Sequence, residues 1–240
     1  MLLLVVANSI GFTSKVSQHG QDEHLHEAFF KSRLEGTFVE MGGFNGLTYS
    51  NSLNFEREQN WTGVLIEANP ALCKVMRRNR PKATCLCTAV SNDSSFINFQ
   101  RGLYSSTYGA VEDAAKYSGE DKYARRNSRW AAERVPSAPL GYLLRTVGIE
   151  FIDLFSLDVE GSEYRVLQSM DWTIPVRVWT IEVHSTSRAR PLIAELLSSH
   201  GYQLQKYPAG LGHFDELWVR AHDAVLPWPP FQAAWRPWQG

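Results

Sequence analysis

Acidic side chains recur at the ends of short apolar runs, where a carboxylate can hold a cation, accept a pair of hydroxyls or move a proton. In "TFVEMGGFNG" (37–46) Glu40 closes such a run and Gly42, Gly43, Asn45 and Gly46 follow it. In "WTGVLIEANP" (61–70) Glu67 takes the same place, followed by Ala68 and Asn69. "FIDLFSLDVEG" (151–161) ends on Asp158 and Glu160, and "VRVWTIEVHS" (176–185) on Glu182 and His184. A spacing of two puts both members of each later pair on one face of an extended strand. Two carboxylates beside an imidazole suit proton transfer from a hydroxyl, or the holding of a divalent ion.

Glycines after a strand raise the question of a phosphate cradle. A dinucleotide loop asks for G-x-G-x-x-G with a helix N-terminus open to the pyrophosphate. Here the order is Gly-Gly-x-x-Gly, and Glu40 would repel a phosphate. A cationic ligand without phosphate fits better. S-adenosylmethionine carries an ammonium and a sulfonium, so the glycines would give its methionine and ribose portions clearance, and Glu67 would accept both ribose hydroxyls. Taken singly, Glu40 and the glycines fit an ordinary turn equally well. Two acids at successive strand ends with glycines between them favour the ligand.

The elements that must position these groups alternate. A helix is expected from near Asp22 to Gly36, then a strand at 37–41, a helix at 50–60, a strand at 61–70 and a helix at 71–80 stopped by Pro81. One third strand is expected over 83–92, with Ala89, Val90 and Ser91 at its end, and another in "SFINFQ". Residues 104–139 lack a continuous apolar stripe and read as a weakly helical insertion or lid. Helices then alternate with the strands at 151–161 and 176–185, and "YQLQKY" and "ELWVRA" close the series as strands. The expectation is an α/β fold: a mostly parallel sheet with helices on both faces and an antiparallel C-terminal strand. Ligands bind such sheets beyond the carboxyl ends of the strands, where all the acids above fall. The chain divides into an arm (1–16), a main domain (17–222) and a tail (223–240) whose three tryptophans and four prolines would cover either the body or a neighbouring subunit of a homo-oligomer.

Composition narrows the partners. With 24 basic and 25 acidic side chains the formal net charge is −1, so no global field draws the chain to nucleic acid or a membrane surface. The apolar run in "MLLLVVANSIGF" is too short to span a bilayer, and leaves a trimmed signal or anchor open. Cys73, Cys85 and Cys87 are odd in number and lack C-x-x-C spacing, which points to reduced, buried thiols and a cytoplasmic protein.

"SQHGQD" (17–22), "GTFVEMGGFNGLTYSNSLNFE" (36–56), "WTGVLIEANP", "AVS" (89–91) and "IDLFSLDVEGSEYRVL" (152–167) together resemble the FkbM family of S-adenosylmethionine-dependent methyltransferases. The resemblance spans roughly residues 17–185. It implies a Rossmann-like methyltransferase fold and methylation of a hydroxyl on a small molecule or sugar. It also implies cofactor contacts from Gln21, Asp22, Glu40, Gly42, Gly43, Asn45, Gly46, Ser50, Asn51, Glu67, Ala68, Asn69, Ala89, Val90, Ser91 and Asp158. Where the family commonly has Asp at the end of the first strand, this chain has Glu40, which keeps the charge on a longer arm.

Methyl transfer is an in-line displacement, so the protein must align an acceptor oxygen and help remove its proton. Asp158, Glu160, Glu182 and His184 are the candidates. His184 can act as a general base beside a carboxylate, or Asp158, Glu182 and His184 can hold a divalent ion that acidifies the hydroxyl. Arg125, Arg126, Arg129 and Arg134 form either a solvated face or a recognition site for an acidic acceptor. A binding module that keeps the fold without the chemistry is the alternative, and calorimetry with the methyl donor discriminates the two.

Overall fold

The run Phe38-Val39-Glu40-Met41 has apolar side chains on both faces, the pattern of a strand covered on both sides. In the computed structural model, which describes residues 12–31, 33–101, 109–111, 131–185, 187–205 and 215–220, it forms β1 (Thr37–Met41) at the centre of a seven-stranded sheet. β2 (Thr62–Ile66) and then β3 (Thr84–Leu86) lie to one side of it. β8 (Ile152–Leu157) and β9 (Val176–Glu182) lie to the other, and all five are parallel. Beyond them β11 (Asp215–Arg220) is antiparallel to both β9 and the edge strand β10 (Tyr202–Gln205). The strand order is β10-β11-β9-β8-β1-β2-β3, so the chain reverses direction across the sheet between β1 and β8.

Alternation along the strands builds two apolar layers. Val39, Val64, Phe155 and Trp179 pack with α4 (Leu140–Thr146), α5 (Glu163–Gln168) and α6 (Arg190–Ser199), which supply Leu144, Val166 and Ile193. Phe38, Leu65, Leu154 and Val178 on the other face pack with Leu25 of α1 (Gln21–Leu25), Phe30 of the π-helical turn His26–Phe30, Phe55 of α2 (Leu53–Glu58) and Met76 of α3 (Pro70–Asn79). Burying both layers supplies the main favourable free energy of the fold. The expected Rossmann-like methyltransferase architecture, with one antiparallel strand near the C-terminus, is what the chain adopts. Among the described residues no helix is long and apolar enough to cross a membrane.

Three expectations are corrected. The strand expected over 83–92 breaks at Cys87-Thr88: β4 (Ala89–Val90) leaves the main sheet and joins a four-stranded one with β5 (Ser95–Arg101), β6 (Gly109–Val111) and β7 (Ala131–Ala138). The C-terminal part of the supposed helical insertion is therefore strand, because β5 supplies an antiparallel partner over the whole of 131–137. Finally, Cys73 and Cys87 form a disulfide, with Cα atoms 5.5 Å apart, and only Cys85 is free. The fold sets α3 against the end of β3, a proximity that no sequence spacing announces, and the case for reduced thiols in a cytoplasmic protein falls with it. The arm as far as residue 11, the span 112–130 with Arg125, Arg126 and Arg129, and the aromatic tail lie outside the described residues. Arg134 is described and stacks its guanidinium over Phe96, 4.6 Å from the ring centre.

Candidate functional site

In parallel register, Met41 stands beside both Ile66 and Leu157, and Leu157 beside Ile181. The residues that follow, Gly42, Glu67, Asp158 and Glu182, therefore line one edge of the sheet at the point where the strand order reverses. The first acid expected there faces inward. Glu40 is 5% exposed; its Oε1 accepts the N–H of Asn51 (3.0 Å), and its Oε2 accepts the hydroxyls of Ser50 (2.7 Å) and Ser52. Asn51 also donates from Nδ2 to Ser156 Oγ (2.9 Å), while its own Oδ1 is buried with no hydrogen-bond partner among the described residues.

The glycines owe their presence to internal close approach as much as to any ligand. A Cβ at Gly42, where φ is +84°, would stand 1.8 Å from the carbonyl oxygen of Asp158. One at Gly43 would meet Met76 Sδ at 2.8 Å, and one at Gly46 would meet the Arg80 side chain at 2.8 Å. Asn45 turns the loop, its Oδ1 accepting from the N–H groups of Leu47 and Thr48. Glu67 is held open at the edge by two backbone donors, Phe44 N–H to Oε2 (2.9 Å) and Asn69 N–H to Oε1 (2.7 Å). Burial pushes its carboxyl up to about 7 despite those bonds. The Ala68 N–H bonds it as well, which leaves part of the carboxylate's accepting capacity for a further donor. Asn69 also caps α3 through its side chain.

At the β8–β9 end the acids meet each other. The nearest carboxylate oxygens of Asp158, Glu160 and Glu182 lie within 4.8 Å of one another. Burial first, and then the neighbouring Asp158 carboxylate, push Glu182 up to about 11. Asp158 reaches solvent, yet protein surrounds it closely, as at the floor of a cleft; that desolvation raises its carboxyl. A hydrogen bond with Glu182 and the charge of His184 act the other way, and Glu40 adds to the rise. A hydrogen bond between two carboxyls needs one shared proton, which the shifts put on Glu182 near neutrality. Glu160, at φ +55°, joins Asp158 and Glu182 in a group of carboxylates near enough to share an ion, a member that the expected set of Asp158, Glu182 and His184 did not include.

Other expected residues are brought less close to this edge or are engaged elsewhere. Asp22 is fully buried and accepts from Ser17 Oγ (2.5 Å) and Asn54 Nδ2 (2.8 Å). Gln21, by contrast, reaches the edge, where it donates to Asp215 Oδ2 (2.6 Å). Ala89 and Val90 pair with Ser137 and Ala138 in the second sheet, and Ser91 Oγ donates to Asp93 O and Ser137 Oγ. Ala68 packs against that sheet's small core. Two residues were missed. Asp215 pairs with Glu182 in the register of β11 and feels the charges of Asp158 and His184, with burial as the main cause of its raised pKa. The first residue of an antiparallel strand must land at the carboxyl edge of its parallel neighbours, a signal that the sequence did carry. The other is Arg80, fully buried behind the glycine loop, for which no sequence signal stood out among neighbouring arginines.

A sequence model of the methyltransferase FkbM domain matches residues 40–204. No curated protein matches the chain. Among solved structures, methyltransferase FkbM from Methylobacillus flagellatus is similar at 14% identity and TM-score 0.48, over 82% of this chain and 50% of that one. The chain thus spans about half the length of that relative. A TehB-like SAM-dependent methyltransferase from Corynebacterium glutamicum aligns at 10% identity and TM-score 0.45, covering 85% and 89% of the two chains. Aeropyrum pernix fibrillarin in complex with S-adenosyl-L-methionine aligns at 10% identity and TM-score 0.41, covering 78% and 66%.

Proposed function

The chain belongs to the FkbM methyltransferase family, and from that premise we propose that it transfers a methyl group from S-adenosylmethionine to a hydroxyl of a small molecule or sugar. The orphaned Asn51 Oδ1, beside the glycine loop, is the observation that carries the cofactor assignment: a buried acceptor without a donor suits an ammonium. Asn51 and the loop 42–46 would hold the amino-acid portion, and Glu67 would accept the ribose hydroxyls. When bound, the cofactor supplies an electrophilic methyl carbon.

The remaining work falls to the acidic edge. Glu182, protonated, donates to Asp158, whose carboxyl feels the charge of His184. An imidazole beside a carboxylate can take the hydroxyl proton as the oxygen attacks, and the carboxylate then stabilises the imidazolium. This metal-free route needs only groups already gathered at the edge. Calorimetric titration with S-adenosylmethionine, its demethylated product and NAD tests the assignment. Binding of the first two and not of NAD is expected. Failure of both to bind ends this reading in favour of a module without the chemistry. With binding in hand, transfer of labelled methyl to a panel of hydroxylated acceptors, with and without EDTA, tests both the reaction and its independence of metal.

A further inference from the structure

Arg80 is 0% exposed, a costly place for a guanidinium unless its environment answers every donor. It caps the C-terminus of α3 and points back at the glycine loop. Its Nη1 donates to Gly46 O (3.0 Å) and Ser50 Oγ (3.2 Å), and its Nη2 to Ser52 Oγ (3.0 Å). Both serine hydroxyls in turn donate to Glu40 Oε2. Direct contact with Glu40 is long, 4.0 Å, whereas Nε stands 3.1 Å from Glu56 Oε1. Asn79, the residue before it, donates from Nδ2 to Asn45 O (2.8 Å).

We propose that Arg80 is a positioning residue for the methyl donor, acting through Ser50 and Ser52 on Glu40 and so on the Gly46–Ser52 segment that carries Asn51. The proposal rests on the cofactor assignment above. A guanidinium offers five donors in a fixed plane, and here the fork spans a backbone carbonyl and two hydroxyls that a lysine could not reach together. Two acids, Glu40 and Glu56, face this single cation, so the buried network keeps a formal negative charge behind the loop that would receive a cationic ligand. The same fork fixes the segment before any ligand arrives, which lowers the ordering cost of binding. Arg80 touches neither the acceptor edge nor any group proposed to move a proton. Its loss is therefore expected in affinity for the donor and not in the chemical step.

The test compares wild-type protein with Arg80→Lys and Ser52→Ala by calorimetry, steady-state kinetics and amide hydrogen exchange, well below the melting temperature of each. Arg80→Lys is expected to weaken S-adenosylmethionine binding and raise its KM by about tenfold or more, with kcat at saturation within about threefold, since bonds to charged groups are of that size. Faster exchange of the Asn51 amide without ligand is expected in both variants. Ser52→Ala is expected to weaken binding less, and the double variant to be little worse than Arg80→Lys alone, because the two act in one relay. Donor binding within threefold of wild type, an equal loss in kcat, or an unchanged Asn51 exchange rate would each overturn the proposal. If the wild-type protein binds no donor, the cofactor assignment fails by itself, and the exchange experiment still decides whether Arg80 holds the loop.

Discussion

At the β1–β2 end of the site, every carboxylate oxygen of Glu40 and Glu67 receives a hydrogen bond from a hydroxyl or amide of the scaffold. At the β8–β9 end Asp158 and Glu182 are bonded to one another, and Glu160 and Asp215 crowd the same edge. In the first arrangement the scaffold anchors each carboxylate and leaves Asn51 Oδ1 unanswered, as suits a surface that must recognise one ligand repeatedly. The second stores unfavourable proximity between acids, which together with burial raises their proton affinities and suits a place where a proton has to move. A single fold thus sets the same side-chain type in two contrasting environments at one sheet edge, matching the proposed division between binding and chemistry.

The largest expected break between the two ends is His184→Ala. Turnover should fall by roughly 10²–10⁴-fold while calorimetric affinity for S-adenosylmethionine stays near wild type, since only a proton acceptor is removed. Glu40→Ala attacks the anchored end. Glu56 still faces Arg80, but the Ser50 and Ser52 hydroxyls and the Asn51 N–H lose their buried acceptor, which should cost about 3–5 kcal/mol of stability in chemical denaturation at roughly 1–3 kcal/mol for each unanswered donor. Reducing the Cys73–Cys87 link, or replacing both residues by serine, opens a loop closed over 14 residues and should cost about 3 kcal/mol, again by denaturation.

Titration sharpens the contrast. Glu67 and Glu163 both titrate near 7 in the folded chain against an ordinary 4.5, because burial disfavours their charged forms. The folded state then holds protons that the unfolded state has released. Their stabilising contribution is full below about pH 4.5 and is lost as pH rises through 7, a decline on the order of 3 kcal/mol for each group. A melting series from pH 4.5 to 8 should show that fall, and Glu67→Gln should flatten it. Least of all should Glu182→Gln matter: with its carboxyl already protonated at neutral pH, the amide keeps the donor to Asp158, and turnover should stay within about threefold. A larger loss would show that the ionised form of Glu182 is used.

Much of this was legible before folding. "TFVEM" and "WTGVLIE" announce two covered strands ended by acids, and the placing of those ends at one edge follows from parallel connection alone. The split of 83–92 into two sheets was not legible, because β4 is only two residues long and its partner arrives from residue 137. Nor was Arg80 distinguishable from Arg77 and Arg78, its neighbours on α3, since which of them turns inward depends on how the helix ends against the glycine loop.

The sequence by itself determined the alternation of strands and helices, the acids at the strand ends and the family to which they belong, because periodicity and local turn chemistry are properties of contiguous residues. Only the tertiary structure decided which acids face ligand and which face scaffold. It paired Cys73 with Cys87, brought Glu160 beside Asp158 and Glu182, and enclosed Arg80 between two carboxylates. Each of those outcomes turns on distances between segments far apart in the chain, and burial then fixes the energy of every charge brought inside.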